Sequence, residues 1–314
     1  MRFKKIDGLI GFVVGDAMGV PLEFKSREEL LKNPVTKMTC NGTYEQPAGT
    51  WSDDTSMMIA TIDSINSKNG IDLCDIALRF QAYKNHADYT PYREVFGMGR
   101  TTISAIENFE ANHDDPTTCG LTNIESNGNG SLMRILPIAY YAVAKKMKDL
   151  EVLDLVTKIS KITHAHEISI MGCYIYTRFA MFLLNNKDKY SAYSMTKCVD
   201  YTMFSEDTIK VYDRLLKEDI TKLTIKDIKS TGYIVDTLEA VFWVILQSDN
   251  YKESVIGAIN LGNDTDTIGA LTGGLAGIIY GIDFIPKEWR DILARKEYLL
   301  DMFEEFVENK YEER

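Results

Sequence analysis

Two short acidic motifs, far apart in the chain, limit what it can fold into more than any other feature: Trp51-Ser52-Asp53-Asp54-Thr55 and Asn263-Asp264-Thr265-Asp266-Thr267. Each crowds two aspartates between hydroxyl side chains. Taken singly, either reads as a helix start, because Ser, Thr and Asp cap helix N-termini and acidic side chains suit the positive end of the helix dipole. A fold that brings both together must offset the repulsion among four carboxylates with cations. The donors on offer are all oxygen: the carboxylates of Asp53, Asp54, Asp264 and Asp266, and the hydroxyls of Ser52 and Thr267. Such a shell suits Mg2+ or Mn2+, with Ca2+ as a larger option, and not zinc, which favours Cys and His. Two divalent cations would balance four carboxylates, and a pair of ions roughly 3.5–4 Å apart is a hydrolase arrangement.

Composition narrows the partners. The 314-residue chain has 46 acidic against 35 basic residues, a formal charge of −11. That balance argues against a nucleic-acid surface or an anionic-membrane surface, both of which need a basic footprint. A small substrate or a protein partner is expected. The five cysteines (Cys40, Cys74, Cys119, Cys173 and Cys198) are scattered and form no C-x-x-C pair, so neither a disulfide framework nor a zinc site is expected and a reducing, cytoplasmic home is. Arg2, Lys4 and Lys5 ahead of the apolar stretch Gly8 to Val20 imitate a secretory leader, but Asp7 and Asp16 interrupt it and no small-x-small site follows. The nearest approach to a membrane span, Ile268 to Ile282, is shorter than the roughly 18 residues required and contains Thr272 and several glycines, so it reads as a buried helix.

Periodicity, where visible, is helical. Leu73, Ile76, Ala77 and Phe80 follow an i, i+3, i+4, i+7 pattern behind an Asp72 cap; Val152, Leu155, Val156 and Ile159 repeat it, as do Leu238, Val241, Phe242 and Ile245. Met58, Ile62 and Ile65 mark a further stripe closed by Asn69-Gly70, which suits a left-handed helix end. Leu132 to Met147 reads as another helical run, and residues 297–314 as a terminal amphipathic helix open to the core or to a second copy. Alternating strand patterns are scarce, so an all-α fold is predicted, in one domain because nothing resembles a linker. Turn-rich stretches at 33–50, 86–100 and 113–130 hold most of the polar residues with chemical potential.

Five fragments, in order, carry a resemblance: Gly15-Asp-Ala-Met-Gly-Val-Pro-Leu-Glu23, Gly49-Thr-Trp-Ser-Asp-Asp-Thr55, Gly128-Asn-Gly-Ser-Leu-Met-Arg134, Thr163-His164, and Asn260-Leu-Gly-Asn-Asp-Thr-Asp-Thr-Ile-Gly269. Together they resemble the ADP-ribosylglycohydrolase family, which includes the dinitrogenase reductase-activating glycohydrolases. The likeness runs from about Leu9 to Tyr280. It implies a compact helical bundle with a binuclear magnesium or manganese centre in a central cleft, Ser52, Asp53 and Asp54 coming from one motif and Asp264, Asp266 and Thr267 from the other.

The resemblance also gives roles to residues that composition leaves ordinary. Ser126, Asn127, Gly128, Asn129 and Gly130 look by themselves like a capped turn whose free N–H groups suit an anion; in the family they contact the diphosphate and ribose of ADP-ribose. Gly97 and Gly99 match a glycine pair on another wall, and His164 matches a position lining the adenosine side. Glu23, otherwise a glutamate beside a turn, enters the active site in the family. Asp16 is expected to be structural, Arg134 to brace the loop, and His166 to start a helix. The implied reaction is hydrolysis of the bond between ADP-ribose and an acceptor, on an ADP-ribosylated protein or a small ADP-ribosyl substrate. Glu23, or a ligating aspartate such as Asp54 or Asp264, would handle protons. The alternatives are a dimetal phosphoesterase acting on a nucleotide and a catalytically silent, crystallin-like binding module.

Overall fold

The computed structural model describes residues 6–112 and 115–309. Among these, sixteen α-helices follow one another. The first eight are α1 (Asp7–Gly19), α2 (Arg27–Lys32), α3 (Asp53–Lys68), α4 (Leu73–His86), α5 (Arg100–Asn112), α6 (Leu136–Ala144), α7 (Asp149–Lys161) and α8 (Glu167–Leu184). Then come α9 (Lys189–Lys197), α10 (Glu206–Val211), α11 (Asp213–Leu216), α12 (Ile234–Gln247), α13 (Tyr251–Ile259), α14 (Thr265–Tyr280), α15 (Lys287–Asp291) and α16 (Lys296–Glu308). Only isolated β-bridges occur among the described residues, and two of them, Leu121 with His164 and Gly128 with Tyr233, tie down loops rather than build a sheet. The fold is all-α.

The predicted stripes become α3, α4, α7 and α12, with their ends where local chemistry puts them. Asp72 accepts from the Asp75 N–H at 3.0 Å and so caps α4, and Asn69 ends α3 in the left-handed region at φ 53. The run from Leu132 to Met147 is not one helix. Asn129–Arg134 is 3-10, and α6 starts afresh at Leu136 because Pro137, which has no N–H to donate, fits only a helix's first turn. In the terminal helix, Leu299, Phe303 and Phe306 are buried, and the carbonyl of Met302 accepts from Asn66 of α3 at 3.2 Å. The stripe therefore faces the core; residues 310–314 of the expected helix lie outside the described residues. The helix that comes nearest to spanning length is α8, not Ile268 to Ile282. It is 18 residues long and 78% buried, which is how a core helix passes the same test of length and composition.

The centre of the molecule is an antiparallel pair, α1 and α14, in backbone contact. A Cβ added to Gly15 would lie 2.0 Å from the carbonyl oxygen of Gly269, one on Gly11 2.3 Å from that of Gly273, and one on Gly19 2.3 Å from that of Thr265. Glycine is required at these positions because no side chain fits between the helices. The contact also sets a register: the C-terminal end of α1 lies on the N-terminal end of α14, where Thr265 Oγ1 donates to the Gly19 carbonyl at 2.8 Å.

Candidate active site

That register gathers the acids. Past the end of α1, Val20-Pro21-Leu22 makes one 3-10 turn and delivers Glu23 beside the first turn of α14. Single ligand-type oxygens of Glu23, Asp264 and Asp266 all lie within 4.8 Å of one another. The first acidic motif arrives by a different route. Buried Asp16, on α1, accepts from the N–H groups of Ser52 and Thr55, each at 3.1 Å, and from Thr55 Oγ1 at 2.6 Å. It thereby caps α3 from a neighbouring helix and directs Asp53 and Asp54, in the first turn of α3, at α14. The join is direct: Thr267 Oγ1 donates to Asp54 Oδ2 at 3.4 Å.

The leading influences on this cluster's acidity are burial and its own carboxylates. Burial and then mutual repulsion hold Asp53, Asp54 and Asp266 well above the ordinary carboxylate range. Burial raises Asp264 as well. Glu23 is pushed up to about 7, by burial first, against the lowering effect of a hydrogen bond from the Tyr44 hydroxyl. Asp16 is pushed up to about 6 by burial, which its hydrogen bonds only partly oppose. The buried Oδ1 of Asp54 has no hydrogen-bond partner among the described residues. A buried acceptor without a partner costs about 1–3 kcal/mol. An all-oxygen, carboxylate-rich donor set with a spare buried oxygen fits a hard divalent cation.

Beside the acids lies a cavity of about 490 Å3. It is lined by the acidic cluster and, joined to it through Asn129, by the loop Gly128-Asn129-Gly130 with His164. The loop is fixed at both ends: the Asn129 N–H donates to the Gly232 carbonyl at 3.0 Å, and the Ile234 N–H to that of Asn127 at 3.1 Å. Asn129 also donates to Asp264 and, at 2.9 Å, to Thr237. His164 is buried and paired through Nδ1 with Thr163 Oγ1 at 2.8 Å; burial and then nearby Arg134 push its pKa down to about 3, so the ring is neutral. Arg134 is itself fully buried, donates to Thr163 and lies 4.6 Å over the Phe80 ring. It braces the Thr163-His164 pair and does not face the acids.

Of the residues singled out in the sequence, Glu23, Asp53, Asp54, Asp264, Asp266, Thr267, Gly97, Gly99, Gly128, Asn129, Gly130 and His164 converge on this cavity. Three do not line it. Ser52 Oγ accepts from the Asp54 N–H at 3.2 Å as the cap of α3, so its hydroxyl serves the helix end. Asn127 is turned inward, accepting from Ser169 at 2.8 Å and donating to the Ile124 carbonyl at 2.9 Å. Ser126 closes a 3-10 turn and is buried there. His166, as expected, caps a helix, accepting from the Ile168 N–H. Sequence reasoning missed Tyr44, Phe24, Arg100, Thr102 and the Thr231-Gly232 turn. Only the last had a local signal, a glycine turn just before the Leu238 stripe.

The comparisons point the same way as the geometry. The model of the ADP-ribosylglycohydrolase family matches residues 3–314. The ADP-ribosyl-[dinitrogen reductase] glycohydrolase of Rhodospirillum rubrum is 31% identical over 297 residues, 93% of this chain and 91% of that protein. The ADP-ribosylarginine hydrolase Tri1 of Serratia proteamaculans is 28% identical over 305 residues, 96% of this chain and 78% of the relative. A solved structure described as an ADP-ribosylglycohydrolase-related protein complex superposes with a TM-score of 0.81 at 23% identity, covering 98% of both chains, and so shares the fold. From a family match over nearly the whole sequence, and from relatives that are glycohydrolases by name, it follows that the chain belongs to the ADP-ribosylglycohydrolase family and is a hydrolase of ADP-ribose linkages.

Proposed function

We propose that this enzyme releases ADP-ribose from an arginine side chain, using two divalent cations, Mg2+ or Mn2+, held by the acidic cluster. The observation that carries the reading is the convergence of Glu23, Asp264 and Asp266 within 4.8 Å, joined through Thr267 to Asp54 and through Asn129 to a glycine loop lining the same cavity. The arginine linkage is taken from the relative named an ADP-ribosylarginine hydrolase, which aligns with 96% of the chain. Asp53, Asp54, Asp264, Asp266 and Thr267 would hold the ions, with Ser52 keeping the α3 carboxylates in place through its cap. The ions, when bound, supply charge neutralisation and polarise the hydroxyls of the distal ribose.

The chain's own residues do the rest. The N–H groups of Gly128 and Gly130, on a loop held in place by the bond from the Asn129 N–H to the Gly232 carbonyl, form an uncharged cradle for the diphosphate and add nothing to the burden of cations. Neutral His164 walls the adenosine side. Glu23 faces the anomeric carbon: a water adds there as the carbon–nitrogen bond breaks, the guanidine nitrogen takes up a proton, and the water gives one up. Tyr44 holds one Glu23 oxygen through its hydroxyl, which leaves the other to exchange that proton. The products are ADP-ribose and the unmodified arginine side chain.

The test is a release assay on arginine-linked and serine-linked ADP-ribosyl peptides with added Mg2+ or Mn2+, comparing the wild type with Asp266→Ala. Free ADP-ribose from the arginine-linked peptide, lost in the variant, is expected. Release of AMP or phosphate instead would make the enzyme a phosphoesterase, and an unimpaired variant would remove the cluster from the mechanism.

A further inference from the structure

Among the described residues, Phe24 is the one exposed large apolar side chain that lines this cavity. Its ring is 71% exposed, although it directly follows the buried Glu23. Its backbone is left-handed, φ 66, a conformation that costs a residue with a Cβ roughly 1–2 kcal/mol. The surroundings enforce it: the Phe24 N–H donates to the Asn263 carbonyl at 2.7 Å, and the Asn263 N–H donates back to the Lys25 carbonyl at 2.8 Å. Asn263 is left-handed too, at φ 61. Strained Phe24 and Asn263, a residue type that adopts this conformation readily, are locked by reciprocal hydrogen bonds that turn the chain sharply, so that consecutive side chains go opposite ways. The Glu23 carboxylate goes in to Asp264 and Asp266, and the Phe24 ring goes out to line the cavity mouth. A left-handed, non-glycine residue held at the rim of the cavity, beside Glu23, is where backbone strain points to function.

The ring's position indicates which part of the ligand. On the reading above, on which this inference rests, ADP-ribose fills the cavity from the Gly128-Asn129-Gly130 wall to Glu23. The acceptor must then leave the anomeric carbon toward solvent, past the residue next to Glu23. An exposed aromatic face attracts a planar cation, and a guanidinium stacks on it better than an ammonium does. We infer that Phe24 is a specificity-determining platform on which the acceptor's guanidinium packs, favouring arginine-linked over hydroxyl-linked ADP-ribose. A serine acceptor has no such group to place there.

The experiment compares wild type with Phe24→Ala, Phe24→Leu and Phe24→Trp on arginine-linked and serine-linked ADP-ribosyl peptides, and measures inhibition by free ADP-ribose, which lacks the acceptor. Phe24→Ala and Phe24→Leu should each lower kcat/KM for the arginine-linked peptide about tenfold, chiefly through KM, within the range of a cation–π contact. Phe24→Trp should retain it. The inhibition constant of ADP-ribose and any activity on the serine-linked peptide should stay unchanged. Equal losses on both peptides, a weakened inhibition constant, or full activity in Phe24→Leu would each overturn the platform while leaving the arginine reading intact. A wild type that binds ADP-ribose but releases none from the arginine-linked peptide would overturn the underlying reading, and the platform with it.

Discussion

At the scale of single residues, most of this site is a matter of where a Cβ or a hydrogen bond is allowed. Gly97 has φ +82, and a Cβ there would sit 2.5 Å from Asp53 Oδ1. Gly97→Ala is therefore expected to displace a carboxylate of the cluster. Stability should fall by only about 1–2 kcal/mol, whereas kcat/KM should fall roughly a hundredfold, the usual effect of a misplacement on the order of 1 Å. Steady-state kinetics beside thermal melts would check it, and an unchanged kcat/KM would show that Asp53 tolerates the shift. Asp16 behaves in the opposite way, as a residue of high structural and low chemical consequence. Asp16→Ala strands the N–H groups of Ser52 and Thr55, at about 1–3 kcal/mol for each buried donor left unpaired. Denaturant unfolding should register the loss, and an unaltered midpoint would deny Asp16 its capping role. The individual acids were legible in the sequence because two carboxylates in so short a motif are chemically unusual. Tyr44 and Phe24 were not, since what they do depends on a turn tied to Asn263, which no local pattern announces.

At the scale of elements, the helices were readable where one face alone is apolar. Stripes such as Val152, Leu155, Val156 and Ile159 fall on α7, whose other face meets water. No stripe was read for α1 or α8, where burial is all round. α1 is buried from Gly8 to Gly19 and α8 nearly throughout, so neither has a polar face to set a period. The reading failed at Pro137, where one residue splits an apolar run into two elements. The α1–α14 contact was equally hidden, because a glycine spaced four from the next is informative only once its partner helix is known. That contact leads to a test at its own scale. Gly15→Ala puts a Cβ 2.0 Å from the Gly269 carbonyl oxygen, so the helices must separate. Overpacking of this kind costs roughly 1–3 kcal/mol, and the melting temperature should drop by several degrees, at about 2–4 °C for each kcal/mol in a domain of 150–250 residues. Divalent-cation affinity should fall with it, because the register that brings Glu23 to Asp264 and Asp266 is the same contact. A variant that melts lower yet keeps full affinity would separate packing from site assembly.

At the scale of the whole molecule, the fold concentrates like charge in its interior, and stability should therefore depend on pH and on metal together. The raised carboxyl groups stay protonated in the folded chain while the unfolded chain ionises, so their contribution declines as pH rises from about 4 through about 6 for Asp16 and about 7 for Glu23. His164 acts with the opposite sign. Its folded pKa of about 3 makes stability rise with pH from there to about 6.5. Six carboxyl groups against one imidazole decide the direction. In chelator, the melting temperature is expected to fall between about pH 5 and pH 8, and more steeply in His164→Gln. Excess Mg2+ or Mn2+ at pH 8 should restore it, by about 2.7 kcal/mol at a concentration one hundred times Kd. The central claim beneath all of this is that helix packing brings two distant acidic motifs into one cation site. The most direct test is equilibrium binding of Mn2+, counted by the free-ion paramagnetic resonance signal, in wild type and Asp266→Ala. The account predicts two saturable ions per wild-type chain and the loss of at least one in the variant; no saturable binding, or the same count in both, would contradict it.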